Sequence, residues 1–299
     1  MASRSPTAYA PGLSDEKVLR AIGRYHYLKR EQLTRLLFSP ASETYTSEIL
    51  TRLTRQHYLE RTVLPRESEF GRGKSLWSLM GRGRSYLEGL GISLLPRVSH
   101  TAVRSYTHLK HLLAVNDTLI ACEVFARDEP GVDLADFVHE RVFHRTPERV
   151  DLLLAGKNLP NVPVAADGWV HLQNGDKHAY FWLEADRSTE HGHLWLRKIA
   201  GIVEFYESGA YQERFDADQI TVMVVAIPDA GIDPVRRRDE LKRWTEQTLE
   251  RLGRQDAWTD IFKFSAVDPA SVTPREFFYG QHWTTPFVEG PGWLLEGAG

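Results

Sequence analysis

The stretch FWLEADRSTEHGHLWLRK (181–198) ends an apolar and aromatic run in two carboxylates, Glu184 and Asp186, and a lysine, Lys198, follows twelve positions after the second. Residues two apart on a strand share a face, so the two carboxylates are expected side by side. Asp167, in VAADGWV, falls on the preceding strand. Adjacent antiparallel strands bring such positions within several ångströms of one another where the register allows. Three carboxylates on one surface repel unless a cation neutralises them. Their hard oxygens suit Mg²⁺ or Mn²⁺, and such an ion polarises a phosphate and activates water. Asp167, Glu184 and Asp186 are therefore the candidate metal ligands, and Asp167, Glu184 and Lys198 the candidate catalytic set. The alternative is an acidic strand end, with Arg187 as ion-pair partner and Asp186 or Ser188 capping the helix that follows. Glu140, in FVHERVF, either joins the cluster from the first strand or is an exposed strand residue.

Lys198 has to be delivered by a helix, predicted over about 191–208. With Leu194 at zero, Trp195, Ile199, Ile202, Val203 and Tyr206 fall in one half of the helix, centred near ~100°. Lys198 falls at about 40°, inside that half, and Arg197, at about 300°, points away. A lysine leaning toward a sheet needs an anionic partner to offset its desolvation. The carboxylate cluster is one such partner, and a phosphate bound there is another.

Around these residues the pattern predicts a long helix over 106–127, a strand over 135–145 and a loop with an apolar VDLLL segment over 146–163. It then predicts strands over 162–173 and 178–187 joined by a turn at NGDK (174–177). A buried strand over 219–228, a helix over 234–252, a strand over 261–267 and a loose aromatic-rich tail complete the chain. That order is the signature of a mixed α/β domain.

The N-terminal part reads differently. Short helices are predicted over 14–24, with Ser14 as N-cap, and over 30–37; a third follows over 43–57. An alternating YLERTVL, a turn at 65–74, the strand SLWSLM and a short helix over 81–91 come next. Three helices followed by a β-hairpin is the order of a winged helix-turn-helix, whose third helix enters the DNA major groove. The third helix has an apolar stripe of Tyr45, Ile49, Leu50 and Leu53. Thr44, Ser47, Thr51 and Arg55 fall opposite it, with Arg52 at the edge. Arg72 and Lys74, with Arg66, lie near the hairpin tip. These positions are the candidate DNA contacts. The alternative is a solvated helix face. Charge supports DNA: residues 1–110 hold 18 Lys and Arg against nine Asp and Glu, and the rest of the chain holds 19 against 31. Thr and Ser contact bases and phosphates alike, so no target sequence follows.

Composition narrows the remaining classes. One cysteine, Cys122, excludes an intrachain disulfide and cysteine-rich zinc sites. No apolar run approaches the roughly 20 residues that span a bilayer. The first residues read as a leader without the apolar stretch of a signal peptide, so a reducing cytoplasm is the expected setting. GRGKS (71–75) lacks the earlier glycine of a phosphate-binding loop, because Ser68 stands there. His108, His111, His191 and His193 read as core or helix-surface histidines.

The pattern Asp167 … Glu184-x-Asp186 resembles the motif of the PD-(D/E)XK nuclease superfamily, and the element order resembles its core. The resemblance implies that Asp167 and Glu184 bind metal and that a lysine assists the nucleophile. Ala166 replaces the usual proline and Asp186 stands where that lysine belongs. Some members supply the lysine from the following helix, where Lys198 lies. A closer resemblance, over roughly 14–228, is to the replication-relaxation family of plasmids and integrative elements. It rests on the N-terminal helices and hairpin, LKHLLAVNDTLIA (109–121), EADRSTE (184–190) and the lysine-bearing helix.

The expected fold is thus α/β (α+β): an N-terminal winged helix-turn-helix followed by a restriction-endonuclease-like mixed sheet flanked by helices. The expected domains are a leader over 1–13, the winged helix over 14–98, the α/β domain over 99–268 and a tail over 269–299. Two functions follow. One is a DNA-binding protein of a mobile element, acting in plasmid replication or transfer or its regulation, with a degenerate nuclease-like domain and no cofactor. The other is an active Mg²⁺- or Mn²⁺-dependent DNA endonuclease or nickase. Double-stranded DNA is the expected partner, with a second copy of the chain and replication or transfer proteins as further candidates; no membrane is implied.

Overall fold

A computed structural model describes residues 9–64, 74–96, 106–154, 156–187, 191–229 and 231–296. The chain divides into two compact units, Met1–Asn116 and Asp117–Gly299.

The first unit contains α1 (Leu13–Tyr25), the short β1 (Leu28–Lys29), α2 (Arg30–Leu37), a 3₁₀ turn, α3 (Glu43–Arg55), β2 (Leu59–Val63), β3 (Ser75–Leu79), α4 (Gly81–Gly89) and the first turns of α5 (Tyr106–Asp128). The strands make an antiparallel sheet in the order β1-β3-β2. Val18, Leu19, Ile22, Leu33, Ile49, Leu50 and Leu53 recur at helical spacing and are buried. Two sequence expectations need correction. Gly12, not Ser14, caps α1, and Asp15 accepts a hydrogen bond from the Gly12 amide at 3.0 Å. Tyr45 is exposed, and Thr46 takes its place in the buried stripe, its hydroxyl 3.0 Å from that of Thr34.

The second unit is built on a five-stranded mixed sheet in the order β10-β9-β8-β7-β4. Its strands are β4 (Asp133–His139), β7 (Gly168–Asn174), β8 (Lys177–Asp186), β9 (Thr221–Ala226) and β10 (Phe262–Ser265). β7 runs antiparallel to both β4 and β8, and β8, β9 and β10 run parallel. β7 and β8 join through a two-residue turn at Gly175 and Asp176, where Gly175 takes a positive φ of 58°. The helices α7 (Gly192–Glu207) and α9 (Pro234–Leu252) pack on each other, and α7 also packs on the hairpin β5 (Glu148–Leu154)–β6 (Lys157–Val164). The remaining helices of this unit are the short α6 (Glu140–Arg145), α8 (Ala210–Phe215), α10 (Gln255–Trp258) and, after β10, α11 (Pro274–Tyr279).

Three local expectations are overturned here. The strand predicted over 135–145 breaks at His139, whose ring Nδ1 accepts from the Arg141 amide and starts α6. The loop predicted over 146–163 is the β5–β6 hairpin, in which Val150, Leu152, Val162 and Val164 supply buried residues to the core beneath α7. The tail is not loose: Phe277, Phe278 and Trp283 are buried, Phe278 stacks on Phe125 at 4.2 Å, and Thr284 pairs with Phe264. Among the described residues, no helix is long and apolar enough to cross a membrane.

Candidate functional site

β8 lies in the middle of its sheet, between β7 and β9. Alternation turns Trp182, Glu184 and Asp186 to one face, where Trp182 packs with Trp195 and Ile199 of α7. Glu184 and Asp186 are 1% and 4% exposed. Carboxylates so buried require partners, because an isolated ion in a low dielectric is far more costly than a paired one.

Glu184 has two such partners. Its Oε1 accepts from the Trp182 indole Nε1 at 2.8 Å, and its Oε2 accepts from Lys198 Nζ at 2.7 Å. The helix phase behind this is the one read from the sequence: Trp195, Ile199, Ile202 and Val203 are buried, while Arg197 is exposed. The Lys198 ammonium lies over the Trp195 ring, with Nζ 5.5 Å from its centroid. The Lys198 side chain is 27% exposed, so solvent reaches the ammonium from one side.

Asp186 is held by a residue that the sequence reading did not single out. Arg237 of α9 donates from Nε to Oδ2 at 2.6 Å and from Nη2 to Oδ1 at 3.2 Å, a bidentate fork between two buried side chains. Its Nη1 reaches Glu240 at 2.6 Å, and its guanidinium lies 5.0 Å from the Trp244 ring. Burial pulls the Arg237 pKa down, but the hydrogen bonds and charges of Asp186 and Glu240 outweigh it and hold it above the ordinary arginine value. Helix phase could have found it: Arg237, Leu241, Thr245, Thr248 and Leu249 form the buried stripe of α9. Arg187, the next residue along, forms an ion pair with Asp229.

Asp167 precedes β7 and does not lie within it. Its Oδ2 accepts from the Ala185 amide at 2.8 Å, and its own amide donates to Leu183 O at 3.0 Å. The side chain thus extends the ladder one step beyond the Gly168↔Leu183 pair. The adjacent Gly168 is closely packed: a Cβ there would lie 2.8 Å from Leu119 Cδ2. Glu140, at the start of α6, brings a carboxylate oxygen within 4.8 Å of one from Asp167. The three acidic positions therefore sit in three settings: Asp167 on a backbone amide beside Glu140, Glu184 on Lys198, and Asp186 on Arg237. Cys122 is buried, which pushes its thiol up to about 12 and leaves it without thiolate character at neutral pH. His191 and His193 are exposed at the start of α7.

In the first unit, Thr44, Thr51 and Arg55 are exposed on one face of α3 and Ser47 is partly exposed. The hydroxyls of Ser47 and Thr51 donate back to Glu43 O and Ser47 O, at 2.9 and 2.8 Å. Glu48 is exposed on the same stripe, within about 40° of Thr44, and puts an acid among the candidate contacts. Arg52 is turned aside toward α1: its Nη2 lies 2.6 Å from Asp15 Oδ1 and its Nε 3.1 Å from the Tyr9 hydroxyl. Lys74 is exposed at the loop end of the β2–β3 hairpin, where its carbonyl accepts from Leu64 N at 2.8 Å. Arg66, Arg72 and Ser188 lie outside the described residues.

No curated protein and no solved structure matches this chain. The model of the replication-relaxation family matches residues 19–218, more than half of the 299. That span takes in the α3 face together with Asp167, Glu184, Asp186 and Lys198, and the chain belongs to the replication-relaxation family.

Proposed function

We propose that this chain is a DNA-binding protein of a mobile genetic element, acting in plasmid replication or transfer or in their regulation. In this reading the first unit is a winged helix: α3 enters the major groove of duplex DNA and the β2–β3 hairpin follows the backbone. The observation that carries it is the exposed stripe of Thr44, Ser47, Thr51 and Arg55 on α3, in a unit whose strand order is β1-β3-β2. The second unit is then a restriction-endonuclease-like domain kept for structure or for recruiting partners. The cations already seated on Glu184 and Asp186 support that role, since each acid has its own protein-borne neutralising charge. Fluorescence anisotropy of the full chain on duplex DNA, across a salt series and with chelator present, tests it. Arg55→Ala with Lys74→Ala should weaken binding and flatten the salt dependence by about one unit of slope per charge removed. Chelator-insensitive binding that ignores both substitutions would sink the reading.

A second reading, a metal-dependent DNA endonuclease or nickase, is favoured by a different observation. Asp167 and Glu140 bring carboxylate oxygens within 4.8 Å of each other, with Glu140 fully buried. Hard oxygens so arranged fit Mg²⁺ or Mn²⁺, which would supply Lewis-acid polarisation of a phosphate. Lys198, partly exposed beside Glu184, would steady the phosphate's negative charge. Nicking of supercoiled plasmid that is lost in Asp167→Ala and Glu184→Ala would decide for this reading. Absence of cleavage on supercoiled, linear and branched DNA would decide against it.

A further inference from the structure

Away from both regions, the β7–β8 hairpin carries two imidazoles whose ring nitrogens converge. His171 Nε2 and His178 Nδ1 are 2.8 Å apart, with ring centroids at 5.0 Å. Strand register explains the meeting. His171 pairs with Tyr180 and Gln173 with His178, so the two histidines are diagonal neighbours on one face. Tyr180 stacks on both rings, at 4.3 Å from His171 and 6.0 Å from His178, and fixes their planes. Trp169 stacks on Tyr180 in turn and is buried against Phe215. Across the next strand pair, Asp136 of the edge strand β4 stands directly opposite His171.

We infer that His171 and His178 form a binding site for a borderline divalent transition metal such as Zn²⁺ or Ni²⁺, with water in the remaining positions and Asp136 supplying negative charge across β4. Two imidazoles on one tetrahedral zinc have their nitrogens about 3.3 Å apart. The pair needs to open by roughly half an ångström, with the metal taking the place of the shared proton. Imidazole nitrogens select Zn²⁺, Ni²⁺ or Cu²⁺ over Mg²⁺, which prefers oxygen. This site is therefore chemically distinct from the carboxylates near β8. His178 is exposed, which leaves the site open to solvent ions.

The test is isothermal titration of the full chain with Zn²⁺ alone at pH 7.5, paired with thermal unfolding with and without Zn²⁺. The expected result is a saturable binding event and a Zn²⁺-dependent rise in Tm. Both should be lost in His171→Ala and in His178→Gln, and both kept in His191→Ala/His193→Ala and in Glu140→Gln. His178 is exposed, so His178→Gln should unfold in chelator at the wild-type temperature, which separates lost binding from lost folding. No saturable event in the wild type overturns the inference. So does an event that survives in His178→Gln, or one that disappears in Glu140→Gln instead.

Discussion

Lys198 Nζ stands 2.7 Å from Glu184 Oε2 across the interface between α7 and the central strand of the second unit's sheet. The carboxylate is 1% exposed, so the pair is mostly out of water and its members depend on each other. Removing one charge from such a pair costs about 3 kcal/mol, more than either side chain contributes as packing. Lys198→Met should therefore destabilise the chain by about that amount. Lys198→Met/Glu184→Gln should recover most of it, since a neutral amide still accepts from Trp182 Nε1. Denaturant unfolding of the wild type, both single variants and the double measures the coupling. Additive losses would mean that the contact contributes nothing as a pair.

Arg237 and Asp186 make the stricter case, because both are buried and the contact is bidentate. Arg237→Lys keeps the charge but not the fork, nor the reach to Glu240. It should lose about 2 kcal/mol or more, close to the loss in Arg237→Ala. Full stability in Arg237→Lys, read from the denaturant midpoint, would show that charge alone is what Asp186 requires.

How much of this was legible before folding depends on which residue is asked about. Lys198 was placed correctly because α7 is amphipathic, and an angular position is set by spacing alone. Glu184 and Asp186 shared a face because strand alternation has a period of two. Arg237 escaped because it arrives 51 residues after Asp186, and only the pairing of distant elements brings them together. Among Arg236, Arg237 and Arg238, the inward one is the residue four before Leu241, on the helical stripe that ends in Leu249. The β5–β6 hairpin escaped for another reason. Its prolines and Asn161, which takes a positive φ of 60°, read locally as loop, while burial of Val150 and Val162 under α7 overrides that propensity. Tyr45 falls in the apolar stripe by helical spacing alone; the structure buries Thr46 instead, whose hydroxyl accepts from that of Thr34.

Asp15 gives the first unit a pH dependence. Burial would raise its pKa, but hydrogen bonds from Tyr9, Arg52 and the Gly12 amide outweigh that and hold it below the ordinary carboxylate value. A depressed folded-state pKa contributes stability that is present above the unfolded value, about 3.9, and is lost as pH falls through the folded one. Asp15→Asn should therefore be less stable than wild type at pH 7, by on the order of 1 kcal/mol given the exposure of Arg52. The gap should narrow as pH falls below the ordinary carboxylate value and through the lower folded-state one. A gap that stays constant from pH 7 to 2.5 would point to packing and not to charge.

Gly168 sets how closely Asp167 and the start of β7 approach α5. A Cβ there would stand 2.8 Å from Leu119 Cδ2, and Leu119 is itself fully buried. Gly168→Ala should cost about 1–3 kcal/mol by overpacking, and Gly168→Ala/Leu119→Ala should be less destabilised than the sum of its parts. Thermal unfolding of the three variants checks this; an unchanged Tm in Gly168→Ala would mean that Leu119 moves aside freely.

Glu48 offers the sharpest separation between a DNA-reading helix and a solvated one. It lies on the exposed stripe of α3 with Thr44, Thr51 and Arg55. Beside a phosphate backbone an uncompensated carboxylate weakens binding at every sequence, whereas inside a groove it accepts from cytosine N4 and discriminates. Glu48→Gln removes the repulsion and blunts the discrimination, so binding to arbitrary duplex should strengthen while the preferred-to-arbitrary affinity ratio falls. A good base contact contributes about 1–3 kcal/mol of discrimination, which corresponds to a fall in that ratio of roughly five-fold to about 150-fold. Competition binding of both proteins against a randomised duplex pool, at one fixed salt concentration, measures both quantities. If Glu48→Gln changes neither, α3 is not the helix that meets DNA, and the exposed stripe is a solvated face.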